Sequence, residues 1–403
     1  MGLWKKLKHG VRNRLIHDPR YYLLVEYRRP LLYELGLGIR HRLYGRKIRL
    51  DASSVCQLKC LACSTANGMN KDGVVGWGHL DPEHFRRLLD ENPDIRAIEL
   101  SNWGELFLNP GIVDIMRYAH ERGVRLMAAN GVNLNTVKEE ALEALVKYRF
   151  RYLSVSIDGA SPETYEQYRI KGNFDNVINN IRRINHYKQV HGTKFPRLAW
   201  QFIIFGHNEH ELPKAREMCD ELGMTLKTKL NHTPTVSPVK DKDYVRREGG
   251  FGASSRDEFR ETKKKEYSFP CMQMWKNPQI NWDGKMLGCC VNKWGDFGNV
   301  FEEGLQGVLK GERFTYAKKM ILGKVPPRKD QPCVKCKVYQ RLNPDAEFPP
   351  EEQEKPFTVG LKSPEAKARD RMKRKAAEKA AKQKEKDNKK KKNRKESKDP
   401  AVT

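Results

Sequence analysis

Three cysteines lie close together before the middle of the chain. Cys56, Cys60 and Cys63 have the spacing Cys-x3-Cys-x2-Cys. Thiolates favour iron–sulfur clusters or zinc, and a short loop can hold three corners of a cubane cluster while leaving the fourth iron without a protein ligand. A catalytic metal needs such an open coordination position. The alternatives are a structural zinc site with a distant fourth ligand, or three ordinary buried cysteines.

A second set of thiols lies in the C-terminal half of the chain. Its members are Cys271, Cys289, Cys333 and Cys336. Four cysteines can coordinate every iron of a cubane or fill a zinc tetrahedron, so a structural zinc ribbon remains open at this point. Cys290 would point away from Cys289 on a strand and is not expected to bind metal.

The net charge of +26 is concentrated at the two ends of the chain. Residues 1–50 hold 13 Lys and Arg against 3 Asp and Glu, and residues 361–403 hold 18 against 7. No run of eighteen apolar residues and no secretory signal is present, so we expect neither a transmembrane helix nor export. Nine closely spaced cysteines favour a reducing, cytoplasmic setting over a disulfide framework.

The basic N-terminal segment, residues 1–46, is expected to be helical and partly amphipathic. Its apolar positions cluster on one side of a helical wheel: Leu3, Trp4, Leu7, Val11 and Leu15. It could contact the inner face of a membrane peripherally, or pack on the rest of the protein. The Lys-rich tail, residues 346–403, is expected to be disordered. No specific nucleic-acid binding is predicted, because the tail matches no recognition module.

The cysteine loop needs a scaffold, and strand-like and helix-like segments alternate around it. Residues 47–55 predict a strand that leads into the loop, and residues 81–92 predict a helix capped by Asp81. About six such units follow one another up to residue 230. We therefore predict an α/β fold, a partial (β/α)6 TIM-like barrel over residues 47–232, with strands mostly apolar on both faces.

Two further segments follow the predicted barrel. Residues 233–268 are polar and rich in glycine and charge, which predicts a linker. Residues 269–345 predict a small cysteine-rich β-hairpin/α domain. In it, Asp283 and Gly284 mark the turn of a hairpin that brings Cys289 to a metal.

The Cys-x3-Cys-x2-Cys loop after the first strand of a βα series resembles that of the radical S-adenosylmethionine (radical SAM) enzymes. The resemblance implies a 4Fe–4S cluster on Cys56, Cys60 and Cys63, with SAM completing the coordination of the fourth iron. In that family an electron from the cluster cleaves SAM to a 5′-deoxyadenosyl radical, which abstracts a substrate hydrogen. It also implies a reductant such as flavodoxin or ferredoxin. Ala62 departs from the family, in which this position is usually bulky.

The same resemblance implies which residues contact the cofactor. Gly104 would allow close approach, and Glu105 would meet the methionine amine. Ser156 and Asp158 lie in a segment that contacts the ribose and carboxylate, and Arg169 would bind the methionine carboxylate. Each of three residues has a simpler alternative when taken alone. Glu105 could be a helix N-terminal charge, Ser156 simply a strand residue, and Arg169 part of a surface ion pair. No catalytic base is predicted.

Residues 269–345 resemble the SPASM/twitch extension that follows many radical SAM barrels. This implies a second, auxiliary 4Fe–4S cluster held by the four cysteines of the C-terminal set. The resulting hypothesis is a radical SAM oxidoreductase acting on a sugar, an aminocyclitol or a lipid-linked small molecule. A peptide-modifying or epimerising radical SAM enzyme is an alternative. A zinc-stabilised nucleic-acid-binding protein is the alternative from another class.

Overall fold

The computed structural model describes residues 45–343 of the chain. Eight strands form one sheet: β1 Arg46–Leu50, β2 Ile95–Glu99, β3 Arg125–Val132, β4 Tyr152–Ser156, β5 Arg197–Ile204, β6 Met224–Leu230, β7 Gln279–Ile280 and β8 Met286–Gly288. The strand order is β6-β5-β4-β3-β2-β1-β7-β8. Strands β1 to β6 pair in parallel, so their carboxyl ends meet at one edge of a curled half-barrel. The predicted partial barrel is confirmed.

Helices alternate with the strands of the barrel and continue beyond them. They are α1 Pro82–Glu91, α2 Ile112–Glu121, α3 Glu139–Lys147, α4 Pro162–Tyr168, α5 Phe174–Val190, α6 Leu212–Glu221, α7 Lys242–Glu248, α8 Arg256–Lys263, α9 Gln273–Lys276, α10 Val300–Glu303, α11 Leu305–Lys310, α12 Glu312–Ile321 and α13 Lys337–Leu342. Local sequence explains their limits. Helix α1 begins at Pro82, and the Asp81 carboxylate accepts a hydrogen bond from the Glu83 amide (2.7 Å), a cap that contributes about 1 kcal/mol.

The predicted C-terminal hairpin is present and extends the barrel sheet. Strand β7 pairs in parallel with β1, with Ile280 opposite Leu50, and in antiparallel fashion with β8. Gly284 at the turn has a φ of +89°, which favours glycine. The hairpin of the predicted C-terminal domain thus lies beside β1, the strand that leads into the first cysteine loop.

The inner face of the half-barrel is polar. Ile48 and Leu50 are fully buried against the helices, while Arg49 between them faces inward and donates from Nε to Gln279 Oε1 (2.9 Å). Glu99 is likewise buried on the inner face. Strands apolar on both faces were expected. The difference arises because an open half-barrel buries only its outer face under helices, and its inner face surrounds a chamber.

The expected linker, residues 233–268, contains helices α7 and α8. Within the part of the chain that the structure covers, no helix is both long and apolar enough to cross a membrane. The predicted amphipathic N-terminal segment lies outside the described residues except for residues 45 and 46, and the predicted Lys-rich tail lies wholly outside them. The domain limits drawn from the sequence stay a prediction.

Candidate active site

The three-cysteine loop begins where β1 ends, at the carboxyl edge of the sheet. Its backbone is anchored at both sides. The Lys59 amide donates to the Ile170 carbonyl (2.9 Å), and the Glu105 amide donates to the Val55 carbonyl (2.8 Å). The Cys63 amide closes a turn on the Cys60 carbonyl (3.2 Å). Contacts from distant segments thus fix the loop that carries the three thiols.

The thiols of this loop are surrounded by charged and amide groups. Burial raises the pKa of Cys56 to about 12, with the Glu105 carboxylate adding to the shift. Burial also raises the pKa of Cys60 to about 11, although Arg169 opposes it. The Arg169 guanidinium donates a hydrogen bond to Cys60 Sγ (3.5 Å), and the side-chain amide of Asn133 donates one to Cys56 Sγ (3.8 Å). A metal that binds here must displace thiol protons.

Gly104 and Glu105 lie against the cysteine loop. A Cβ on Gly104 would lie 2.5 Å from the Ser53 carbonyl oxygen, so only glycine lets the two chain segments approach. The Glu105 carboxylate is buried and accepts hydrogen bonds from the backbone amides of Asn133 (2.6 Å) and Phe107 (3.3 Å). Burial raises its pKa to about 7. Gly104 thus allows a close approach of protein backbone. The contacts of Gly104 and Glu105 with the cofactor stay a prediction.

Ser156 ends β4 on the inner face of the barrel. Its hydroxyl accepts a hydrogen bond from Gln201 Nε2 (3.2 Å). Gly131, with a φ of +125°, leaves room for it, because a Cβ there would lie 2.2 Å from Ser156 Oγ. Ser156 therefore lies in the chamber, where a cofactor could reach it. Its contact with the cofactor stays a prediction.

Asp158 and Arg169 form a buried ion pair. Arg169 Nε donates to Asp158 Oδ2 (2.7 Å), while Asp158 Oδ1 accepts from the Ile203 amide (2.7 Å). Because Arg169 also donates to Cys60, the pair connects β4 and β5 to the cysteine loop. The alternative of a surface ion pair at Arg169 is therefore not met, because Asp158 is fully buried and Arg169 largely so. Binding of the methionine carboxylate by Arg169 stays a prediction.

The four thiols of the C-terminal set come together next to the β7–β8 hairpin. Burial raises the pKa of Cys271, and the next contributions come from Cys289, Cys333 and Cys336. Cys289 follows directly after β8, which ends at Gly288. A Cβ on Gly288 would lie 2.9 Å from the Phe297 ring and 3.4 Å from Met274, so an apolar wall adjoins this thiol. The structure brings together all four predicted ligands.

A short chain of amide contacts connects the two thiol sites. The Cys290 amide donates to Gln273 Oε1 (2.7 Å), and the Cys290 carbonyl accepts from Asn102 Nδ2 (3.0 Å). Asn102 lies two residues before Gly104. The auxiliary site is therefore adjacent to the chamber of the barrel.

The two thiol sets have the donor chemistry of iron–sulfur ligation. All nine cysteines lie within residues 45–343, and none forms a disulfide there. No three His, Cys, Asp or Glu side chains in that range converge on a point suited to a single metal ion. In a cubane cluster each thiolate binds its own iron, so its ligands need not converge.

Sequence reasoning missed several polar residues of the chamber. Asn133 donates hydrogen bonds to both Cys56 and Glu105, and Gln201 donates one to Ser156. Lys229, on the inner face of β6, was also missed. The available signal was the alternation of polar and apolar residues along β4 and β6, which marks an inner polar face.

Comparisons with known proteins agree with this arrangement. The radical SAM superfamily matches residues 52–219, and SPASM, an iron–sulfur cluster-binding domain, matches residues 271–337. The chain is 29% identical over 183 residues to the AdoMet-dependent heme synthase of Methanosarcina barkeri, covering 44% of this chain and 48% of the relative. It is 22% identical over 204 residues to the probable GTP 3′,8-cyclase of Methanocaldococcus jannaschii, covering 49% and 63%.

The fold has a counterpart among solved structures. Streptococcus suis SuiB bound to S-adenosylmethionine matches with a TM-score of 0.52 and 16% identity, covering 84% of this chain and 82% of that one. The two sequence relatives are matched over only about half to two thirds of their length. The matched families favour iron–sulfur clusters over the zinc alternatives. The radical SAM domain binds a 4Fe–4S cluster and SAM, and the SPASM domain binds auxiliary iron–sulfur. The chain is thus a member of the radical SAM superfamily of iron–sulfur enzymes, with a C-terminal SPASM domain.

Proposed function

We propose that this chain is a radical SAM oxidoreductase that carries out a two-electron oxidation of a small molecule. The observation that carries the proposal is the position of the four-thiol set. It adjoins the chamber through the contacts of Cys290 with Asn102 and Gln273. Four protein ligands leave no iron open to substrate, so electron transfer is the role that suits this site.

The proposed reaction is the oxidation of an alcohol to a carbonyl compound. Cys56, Cys60 and Cys63 would hold the cluster, which with one electron and bound SAM would supply methionine and a 5′-deoxyadenosyl radical. The substrate carbon gives up a hydrogen atom to it, which yields 5′-deoxyadenosine. An alcohol substrate then loses one electron to the auxiliary site and its hydroxyl proton to a base, and so becomes a carbonyl compound. Electrons enter from a reductant such as flavodoxin or ferredoxin, which is consistent with a cytoplasmic location.

The polar chamber supports a hydroxylated substrate such as a sugar or an aminocyclitol, free or lipid-linked. Several inward-facing side chains have a buried polar atom with no partner among the described residues: Arg49 Nη2, Asp51 Oδ1, Glu99 Oε2, Tyr152 OH and Gln201 Oε1. Buried polar atoms without partners are costly, so water or a ligand is expected to satisfy them. A molecule with several hydroxyl groups offers donors and acceptors of this kind.

The test is anaerobic purification of the full chain, reduction and addition of SAM. We expect brown protein with about eight irons per chain, if both clusters are cubanes, and release of 5′-deoxyadenosine. Cys60→Ala should abolish cleavage, whereas Cys333→Ala should spare some cleavage and block oxidation of substrate. Absence of 5′-deoxyadenosine from fully reconstituted protein would contradict the proposal.

The product distinguishes oxidation from the alternatives. Candidate alcohols carrying deuterium at the reacting carbon should pass it to 5′-deoxyadenosine and give a carbonyl product. An epimerised product, or deuterium transfer only from a peptide, would favour the alternative chemistries. Colourless zinc protein that binds nucleic acid would reject all of them.

A further inference from the structure

The β6 side of the chamber carries a lysine, Lys229, that forms no ion pair within residues 45–343. Lys229 lies opposite Ile203 of β5, whose amide binds Asp158. Side chains alternate along a strand, so Lys229 shares a face with Lys227, whose ammonium lies 4.5 Å from the centre of the Tyr152 ring. Leu230, on the other face, is fully buried. Lys229 therefore faces the chamber, beside the Asp158–Arg169 pair.

Two further basic side chains lie at the same end of β6. Arg256 Nε donates to the Leu230 carbonyl (3.1 Å), and its guanidinium lies 4.5 Å from the centre of the Tyr267 ring. These contacts hold the guanidinium while leaving its two terminal nitrogens available. His232 Nε2 lies 3.3 Å from the Ala62 carbonyl oxygen, which places the ring beside the cysteine loop.

The basic groups here are not neutralised by nearby carboxylates. Within residues 45–343, neither Lys229 nor Arg256 forms an ion pair. The carboxylate of Asp158 attracts the positive charge of Lys229 and His232 and so favours their protonated forms. Its two oxygens already accept hydrogen bonds from the Arg169 side chain and the Ile203 backbone amide. Burial lowers the pKa of Lys229 and of Arg256, because each cation loses hydration. Grouping cations in this way is unfavourable unless an anion binds between them.

We propose that Lys229 and Arg256, with His232 beside them, bind an anionic group of the substrate on the β6 side of the chamber. The shared chemistry is an oxyanion, either a carboxylate or a phosphate. An ammonium and a guanidinium suit such a group because both donate charge-assisted hydrogen bonds. This inference rests on the proposed function, and it restricts the substrate to an acid or a phosphate ester.

The test measures anion binding separately from turnover. Anaerobically reconstituted full chain, saturated with SAM so that the cofactor site is filled, is titrated with inorganic phosphate and with acetate by calorimetry. We expect one of the two anions to bind. Lys229→Gln and Arg256→Gln should each weaken that binding about tenfold or more, because each removes a charge-assisted hydrogen bond. The preferred anion identifies phosphate or carboxylate as the substrate group.

Lys214→Gln is the matched control, because Lys214 is an exposed residue of α6 and its loss changes the net charge equally. It should bind the anion as the unmodified chain does. Arg256→Lys keeps the charge and should retain more binding than Arg256→Gln. All variants must keep their iron content and their circular-dichroism spectrum, which shows that they are folded.

The outcomes separate the two proposals. No anion binding by the unmodified chain, or equal binding by Lys229→Gln and Lys214→Gln, overturns the anion site while leaving SAM cleavage intact. Anion binding that depends on Lys229, in a protein that does not cleave SAM, supports the anion site and rejects the proposed function.

Discussion

The two thiol sites of this protein are framed by different kinds of side chain. The three-cysteine loop is bounded by buried charge, namely Glu105 and the Asp158–Arg169 pair. The four-cysteine site is bounded by apolar groups such as Phe297 and by neutral amides. After burial, the strongest influence on the pKa of Cys56 is a carboxylate, whereas for Cys271 it is another thiol.

The difference matches what each site must hold. SAM carries an ammonium, a carboxylate and a sulfonium, so a site for it needs fixed charges and hydrogen-bonding groups. A cluster with four protein ligands needs only thiolates and a surrounding that excludes water. Buried charge is costly to maintain, and it is kept in the loop site, where a charged cofactor can compensate.

The largest effects are expected from removing one thiol of each site. Cys63→Ala should lose about four irons and all SAM cleavage, while Cys336→Ala should lose about four irons and keep cleavage. Iron analysis and chromatography of 5′-deoxyadenosine measure both. Cys219→Ala is the control, because Cys219 is buried within α6. This variant should keep all of its iron. Loss of cleavage in Cys336→Ala would erase the functional distinction between the sites.

The second-largest effect is expected from neutralising the buried carboxylate of Asp158, which should lower the stability of the folded protein around the three-cysteine loop. Asp158→Asn leaves Arg169 buried without its partner, and we expect a loss of about 3 kcal/mol or more in the free energy of unfolding. Denaturant titration measures it. The partly exposed pair of Asp94 with Arg46 supplies the control, since Asp94→Asn should cost less than about 1 kcal/mol. Equal effects would show that the buried pair has no special role.

Filling the space at Gly104 should have an intermediate effect. Gly104→Ala forces a Cβ against the backbone of Ser53 and Ser54, which we expect to cost about 1 to 3 kcal/mol and to slow SAM cleavage. Gly307→Ala is the matched control, because its Cβ would meet only Glu303 at an ordinary 3.7 Å. Thermal unfolding and cleavage assays compare them. An unimpaired Gly104→Ala would contradict the tight contact.

The smallest effect is expected at the amide that borders the four-cysteine site. Gln273→Ala removes hydrogen bonds to the amide and thiol of Cys290, for a loss of about 1 kcal/mol. The reduction potential of the auxiliary cluster should shift, while SAM cleavage stays unchanged. Potentiometry followed by electron paramagnetic resonance measures both quantities. A change in cleavage alone would mean that this amide serves the loop site instead.

Local signals in the sequence predicted much of the fold. The Asp81 cap and the Pro82 start of α1 were readable because they depend on neighbouring residues only. The same holds for the turn at Asp283 and Gly284. The pairing of β7 with β1 was not readable, because it joins segments more than two hundred residues apart. The polar inner face was also missed, because β5 is mostly apolar and obscures the alternation present along β4 and β6.

The sequence by itself determined the donor set. Cysteine spacing identified seven candidate ligands, and it did so because metal chemistry restricts the residue types and separations that can bind a cluster. Only the tertiary structure decided how these sites are framed. The burial of Asp158 with Arg169, the contact of Asn102 with Cys290 and the cations at the end of β6 each depend on which strands become neighbours. That choice is made by packing of the whole sheet, which no single segment encodes.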